Sequence, residues 1–344
     1  MATIISPFTA LPDDVLQRVL LGVALDDHDA TAAACRAFRD VIRGPRFLRL
    51  RREYGFAERG VILVGRDDDE EPLEIHVAGN HRAMAVIEGL SSINPGGSTT
   101  DGGGRLFVST TRTHGLPYEI FAVDASARRW SPFATLPLNQ RLHCTEWHGG
   151  LLYVAGGKPE DFGASLNTLH AFDETTGLWD DLPPMPHACA RAASGVIGNE
   201  LFIAGGRGVG DQPLSTLQIY DFTTRTWRLG AQLPNAQHGA YGIVVGDGKL
   251  YLVSSRLSEV QCMLMYDVQS NTWTEQSLPP QESGAQYGGL MYAFAHKGSI
   301  VVAYSSGLVF HRGTGSDQNN WSLFDLDVAS DAVYGALAGS VILG

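Results

Sequence analysis

The sequence predicts a mainly β protein: a long array of similar β units behind a small α-helical module. Three observations carry this. The motif Asp-x5-Trp recurs four times with the same internal spacing, as Asp124/Trp130, Asp173/Trp179, Asp221/Trp227 and Asp267/Trp273. Short apolar segments ending in small residues repeat with the same period. The stretch up to about residue 54 lacks both patterns and carries apolar residues at helical spacing instead.

The repeats come first because they occupy most of the chain. Successive motif tryptophans lie 49, 48 and 46 residues apart, and Trp321 follows 48 residues later with Gly315 in place of the aspartate. Each of the first four leads into Leu-Pro, at 136–137, 182–183, 233–234 and 278–279. The apolar series runs RLFVST (105–110), LLYVAGG (151–157), ELFIAGG (200–206), KLYLVSS (249–255) and SIVVAYSS (299–306), with VILVG (61–65) as an earlier, weaker copy. Short buried strands with small residues at their ends and turn signals between them indicate an all-β repeat array. Forty glycines suit the many tight turns such an array needs.

A period near 48, a Gly-Gly doublet after one strand, and a downstream Tyr-Asp leading to Trp resemble the kelch repeat. The full doublet stands at Gly156-Gly157 and Gly205-Gly206, with Ser-Thr or Ser-Ser in its place elsewhere. The resemblance implies four-stranded blades of a β-propeller, with tryptophan filling the wedge between neighbours. Residues 60–344 accommodate six units of about 47 residues, so a six-bladed kelch-type β-propeller is expected over residues 53–344, with five or seven blades as the alternatives. Residues 333–343 read as one strand with nothing after it. They are expected to close the ring as the innermost strand of the first blade, whose other strands come from residues 60–90.

Residues 8–52 read as the helical module. Leu11-Pro12-Asp13-Asp14 is a helix start, and Leu16, Val19, Leu20 and Val23 form one apolar stripe. Asp26-Asp27-His28-Asp29 offers caps for a second helix, on which Ala34, Cys35, Phe38, Val41 and Ile42 share a face. After Gly44-Pro45, Phe47, Leu48 and Leu50 begin a third apolar segment. So short a module buries little apolar surface by itself, which predicts either a cap on the neighbouring domain or completion by a partner. LPDDVLQRVL followed by AACRAFRDVIRGPRFLRLRRE resembles the F-box motif. That resemblance implies contact with a Skp-type adaptor through Leu11, Pro12, Val15, Leu16, Val19, Leu20, Cys35, Phe38, Val41 and Ile42. Phe38 departs from the tryptophan many members carry there. The two modules stand in the order of plant-type F-box/kelch proteins.

Composition excludes several classes. The chain carries 44% hydrophobic and 18% charged residues, the balance of a globular protein. Its four cysteines form no CxxC pair, so neither a zinc knuckle nor a disulfide framework is expected. The N-terminus shows no secretory signal and no segment is long and apolar enough to span a bilayer, so a cytoplasmic or nuclear protein is expected. Net charge is −12, yet eight of 25 basic residues are arginines between positions 36 and 59. Without interleaved aromatics this run reads as a solvated or adaptor-facing helix surface, not a nucleic-acid site.

Catalytic chemistry is not legible. His143, Cys144 and His148 have no carboxylate at ligand spacing. No glutamate has aspartate four residues later, as the iron-binding kelch-type specifier proteins would require. Neither a Ser-His-Asp set nor a copper-radical Tyr–Cys pair assembles. No enzyme activity, metal or cofactor is therefore expected. What remains is a binding face. A basic residue follows the second strand of five units, at Arg66, Arg112, Lys158, Arg207 and Arg256, and Arg141, Arg191, His238 and Tyr287 stand near the starts of inner strands. Together they would line one mouth of the propeller and suit an acidic or phosphorylated protein segment. Asp67-Asp68-Asp69-Glu70-Glu71 in the first such loop could neutralise part of it. The resemblance implies a substrate-recognition subunit of an SCF-type ubiquitin ligase, linked to cullin through the adaptor. A non-degradative kelch scaffold and a propeller enzyme or small-molecule binder are the alternatives.

Overall fold

The computed structural model describes residues 12–21, 23, 28–43, 46–47, 50–51, 54, 58–64, 75–79, 82–86, 93–101, 104–112, 118–124, 129–159, 163–236, 240–245, 248–256, 259–277, 290–296, 298–304, 309–313, 321–323 and 337–343.

The chain begins with three short helices, α1 (Asp13–Leu21), α2 (His28–Ala34) and α3 (Arg36–Ile42). Helix α1 takes its first turn from Pro12, whose carbonyl accepts the Leu16 N–H at 2.9 Å, as a proline at a helix start predicts. The single second helix expected from the pattern is broken in two: Cys35 is extended, with φ −158, and α3 starts from it. Leu16, Leu20, Leu21, Ala32, Ile42 and Phe47 bury one another in a small core, with Phe38, Val41 and Leu50 packed at its edge. Arg51 is buried beneath it, donating through Nη1 to the carbonyl of Leu21 at 2.9 Å and to that of Val23. A guanidinium thus satisfies the carbonyls at the end of α1 that the helix itself leaves open.

The rest is a β-propeller. Among the described residues there are six four-stranded antiparallel sheets. The first joins Glu58–Val64, Ile75–Gly79 and Arg82–Val86 to the C-terminal strand Leu337–Leu343, which lies on its inner edge with Val61 opposite Ser340. The second holds Ile93–Thr100, Arg105–Arg112, Glu119–Asp124 and Arg129–Thr135. The third holds Cys144–His148, Leu151–Ala155, Leu169–Asp173 and Leu178–Leu182, and the fourth Ala193–Ile197, Glu200–Ala204, Leu217–Asp221 and Thr226–Leu229. The fifth holds Ala240–Val245, Lys249–Arg256, Glu259–Asp267 and Thr272–Glu275, and the sixth Leu290–His296, Ser299–Tyr304, Val309–Gly313 and Ser322–Leu323. The inner strands touch in cyclic order from sheet to sheet, and Leu290–His296 returns to Leu337–Leu343. The expected domain boundary at 52/53 lies outside the described residues.

Packing explains the motifs. In the third and fourth sheets the second and third strands are buried on both faces, because each sheet is sandwiched between its neighbours. Phe107 and Ile120 of the second sheet share a cluster with Leu152, Val154 and Phe172 of the third, and Phe202 and Ile219 of the fourth share one with Leu250, Leu252 and Tyr266 of the fifth. The motif aspartates turn the chain from third to fourth strand: Asp173, Asp221 and Asp267 each accept the N–H two residues on, at 2.8, 2.7 and 2.9 Å. The motif tryptophans stitch one sheet to the one before it. The indole N–H groups of Trp179, Trp227, Trp273 and Trp321 donate to the carbonyls of Thr135, Pro183, Ala231 and Ser277, at 2.8, 2.7, 2.9 and 3.2 Å. The glycine doublet is required by close approach as well as by backbone angle. Gly156 has φ 64, and a Cβ there would lie 2.3 Å from the Cys189 carbonyl oxygen.

Candidate functional site: one mouth of the propeller and the helical module

At the end of the propeller where second strands finish, the third and fourth sheets place basic residues side by side. Counting from the paired positions Ala155 and Ala204, Lys158 and Arg207 are register equivalents. Lys158 lies opposite Arg141 in a two-residue ladder, Gln140–Arg141 with Lys158–Pro159. Arg207 is held in the matching way against Ala190 and Pro213. Arg141 therefore corresponds to Ala190, and Arg191, one residue further on, corresponds to Leu142. Leu142 and Arg191 both adopt left-handed backbone, φ 61 and 53, and the Arg191 N–H donates to the Leu142 carbonyl at 2.8 Å.

Electrostatically this patch is not bare. Asp211, on the loop after Arg207, accepts from Lys158 Nζ at 2.5 Å through Oδ1 and from Arg207 Nη1 through Oδ2. The Lys158 hydrogen bond, with help from the Arg207 charge, holds the Asp211 carboxyl below the usual carboxylate range. Val209, two residues before, is 59% exposed, and Leu138, two residues before the Gln140–Arg141 strand that pairs with Lys158–Pro159, is 40% exposed. Asp211, Val209 and Leu138 were not read from the sequence, where Gly208-Val209-Gly210-Asp211 looks like any glycine-rich loop.

Of the other residues expected at this mouth, Arg66, His238 and Tyr287 lie outside the described residues. Arg112 and Arg256 are placed by backbone only: Arg112 pairs with Ile93 at the start of its sheet's inner strand, and Arg256 pairs with Glu259. The structure thus brings together Arg141, Lys158, Arg191 and Arg207.

His143, Cys144 and His148 go to structural positions. His143 is buried, and that burial lowers its pKa to about 4. Burial pushes the Cys144 thiol well above its ordinary value. His148 stacks on Phe222 with ring centroids 4.2 Å apart, its Nε2 lying 3.2 Å from Asn199 Oδ1. Among the described residues no group of three or more His, Cys, Asp or Glu side chains could hold a metal ion. No helix among them is long and apolar enough to cross a membrane.

In the helical module the expected adaptor residues divide. Leu16, Leu20 and Ile42 are 3%, 2% and 9% exposed and belong to the module's own core. Val15 and Val19, one turn apart on α1, are 38% and 54% exposed, and Pro12 is exposed before them. Cys35, Phe38 and Val41 are half-buried, and Leu11 lies outside the described residues. Leu16, Leu20 and Ile42 are therefore taken up inside, because three short helices closing on each other need them, while Pro12, Val15 and Val19 stay exposed.

The fold and the site's setting define a kelch-repeat β-propeller protein. Residues 98–304 match the KLHDC2/KLHL20/DRC7 Kelch-repeats domain, so the chain belongs to that family. The match runs from within the inner strand of the second sheet, through the third to fifth sheets, to the end of the second strand of the sixth. Among curated relatives, Kelch-like protein 34 of Homo sapiens is 29% identical over 40% of this chain and 23% of its own length. Kelch domain-containing protein 10 of Xenopus laevis is 30% identical over 50% of this chain and 41% of its own. An F-box/kelch-repeat protein of Arabidopsis thaliana is 27% identical over 46% of this chain and 49% of its own. The chain thus spans from 23% to 49% of the length of these relatives.

Proposed function

We propose that this protein is the substrate-recognition subunit of an SCF-type ubiquitin ligase. Residues 8–52 form an F-box that binds a Skp-type adaptor and through it cullin. Residues 53–344 form a six-bladed propeller, closed by the C-terminal strand, that holds the target protein. The chain needs no catalytic group or cofactor for this: holding a target near a ubiquitin-charged conjugating enzyme raises the effective concentration of its lysines. The target contacts the propeller mouth at Arg66, Arg112, Arg141, Lys158, Arg191, Arg207, His238, Arg256 and Tyr287 with an acidic or phosphorylated segment. Such a receptor works in the cytoplasm or nucleus.

The observation that carries the reading is the exposed pair Val15 and Val19 on α1, left over after the module has filled its own core. The kelch similarity to an F-box/kelch-repeat relative supports the pairing of the two modules. The test is a pull-down of the full chain on an immobilised Skp-type adaptor. Wild type is expected to bind, and Val15→Asp/Val19→Asp to lose at least tenfold in affinity while melting at the wild-type temperature. Surface substitutions of this kind cost about 0.5 kcal/mol or less in stability. Adaptor binding unaffected by the double substitution, or absent from folded wild type, would sink the proposal. Ubiquitin transfer to a bound target in the reconstituted ligase then separates a receptor from a non-degradative scaffold.

A further inference from the structure

Lys158 and Arg207 hold equivalent positions on adjacent sheets, so the gap between them is set by sheet packing rather than by a loose loop. Their side chains are only 19% and 30% exposed, and one carboxylate, Asp211, bridges both. That leaves donor capacity unmet, since an ammonium has three N–H groups and a guanidinium five. The buried Nε of Arg207 and that of neighbouring Arg141 have no hydrogen-bond partner among the described residues. The loop presenting Asp211 is firmly tied at its base. Leu214 N–H donates to the Gly206 carbonyl at 2.9 Å, and buried Ser165 donates to the carbonyls of Arg207 and Gly208 at 2.8 and 3.1 Å. Its tip is a turn closed by its own backbone, the Gly208 N–H donating to the Gln212 carbonyl at 2.9 Å and the Asp211 N–H to that of Gly208 at 3.1 Å. Gly210 and Asp211 both have positive φ, 79 and 65, which aspartate adopts more readily than most residues. Exposed Val209 stands beside it.

We propose that Asp211 is an internal competitor: its carboxylate occupies, between Lys158 and Arg207, the place of an acidic side chain of a bound peptide. The inference deepens the receptor reading and rests on it for the propeller holding a target. It names the ligand as a segment with a carboxylate next to an aliphatic residue, the carboxylate replacing Asp211 and the aliphatic group covering Val209. A half-exposed ion pair shifts an equilibrium by no more than about fivefold, so a ligand displaces it at little cost. Glu160 and Asp161, which follow Lys158 closely in sequence, lie outside the described residues.

The experiment selects a random decapeptide phage library on the immobilised full chain, then measures the leading synthetic peptide by fluorescence anisotropy. Selection is expected to enrich Asp or Glu beside Leu, Ile or Val. Asp211→Asn, which tolerates left-handed backbone, is expected to bind that peptide about two- to fivefold more tightly. Lys158→Gln and Arg207→Gln, made singly and together, are expected to weaken it, the pair by at least about tenfold. Three results would overturn the proposal: no acidic enrichment, tighter binding of the phosphoserine version than of the glutamate one, or unchanged or weaker affinity in Asp211→Asn. In the last case a lowered melting temperature assigns Asp211 a purely structural part. None of these results depends on the adaptor pull-down, so the two readings fail separately.

Discussion

Glu146 sits on the inner strand of the third sheet, between residues of the sheets on either side. Its carboxylate accepts from Ser194 Oγ of the fourth sheet at 2.7 Å and is hydrogen-bonded by Thr99 of the second. Burial dominates and lifts its pKa from 4.5 to about 7, while the two hydroxyls pull the other way. The folded state therefore holds this proton more tightly than the unfolded chain does. For this group stability is greatest below about pH 4.5 and falls as pH rises from there to about 7. Urea unfolding at pH 5 and pH 7.5 checks this: wild type should lose on the order of 2 kcal/mol relative to Glu146→Gln across that interval. Parallel pH profiles for the two proteins would show that Glu146 is ionised at little cost. Nothing in the sequence around Cys144-Thr145-Glu146-Trp147 marks this carboxyl, because its environment comes from strands about 50 residues away on either side.

At the scale of the element, the fourth strand and the turn before it form the repeating unit of assembly. Aspartate closes the turn, and tryptophan packs on the third strand and reaches the preceding sheet. In Tyr220/Trp227 and Tyr266/Trp273 the ring centroids are 5.0 Å apart in both cases. Trp227→Phe keeps one aromatic ring and removes the N–H that satisfies the Pro183 carbonyl, and should cost about 1 kcal/mol. Trp227→Ala also removes the packing and should cost about 2–3 kcal/mol. Chemical denaturation of both variants measures the difference; equal losses would assign the whole effect to the lost N–H and none to packing. This unit was legible because its residues are local and identically spaced. The offset between Arg141 and Arg191 was not: both stand just before an inner strand, and only the strand registers place one in a ladder and the other in a left-handed turn. The helical stripe was legible as apolar, but its division into buried Leu16 and Leu20 and exposed Val15 and Val19 depends on how three helices close on one another.

At the scale of the molecule, the array is held as a ring by its last strand. Leu337–Leu343 pairs with Glu58–Val64 and also touches the inner strands of the second and sixth sheets. Removing residues 337–344 would leave the inner edge of the first sheet unpaired and both neighbours without a contact. The truncated chain should melt at least about 10 °C lower and less cooperatively, since 1 kcal/mol is worth roughly 2–4 °C in a domain of this size. Scanning calorimetry of both chains checks it, and melting within about 2 °C of full length would show that the ring holds without this strand.

By itself the sequence determined the repeat, its period, the strands that form each sheet's centre, the Asp-x5-Trp spacing, and the presence of a separate helical module. These depend on local propensity and on spacing along the chain, which a linear pattern displays directly. The tertiary structure alone decided which cations share a surface, that Asp211 bridges Lys158 and Arg207, that Glu146 is enclosed by two neighbouring sheets, and which apolar residues of α1 stay exposed. Each of these is a contact between segments tens of residues apart, or a choice of face made by packing, and charge and burial act through distance in space rather than through distance in sequence.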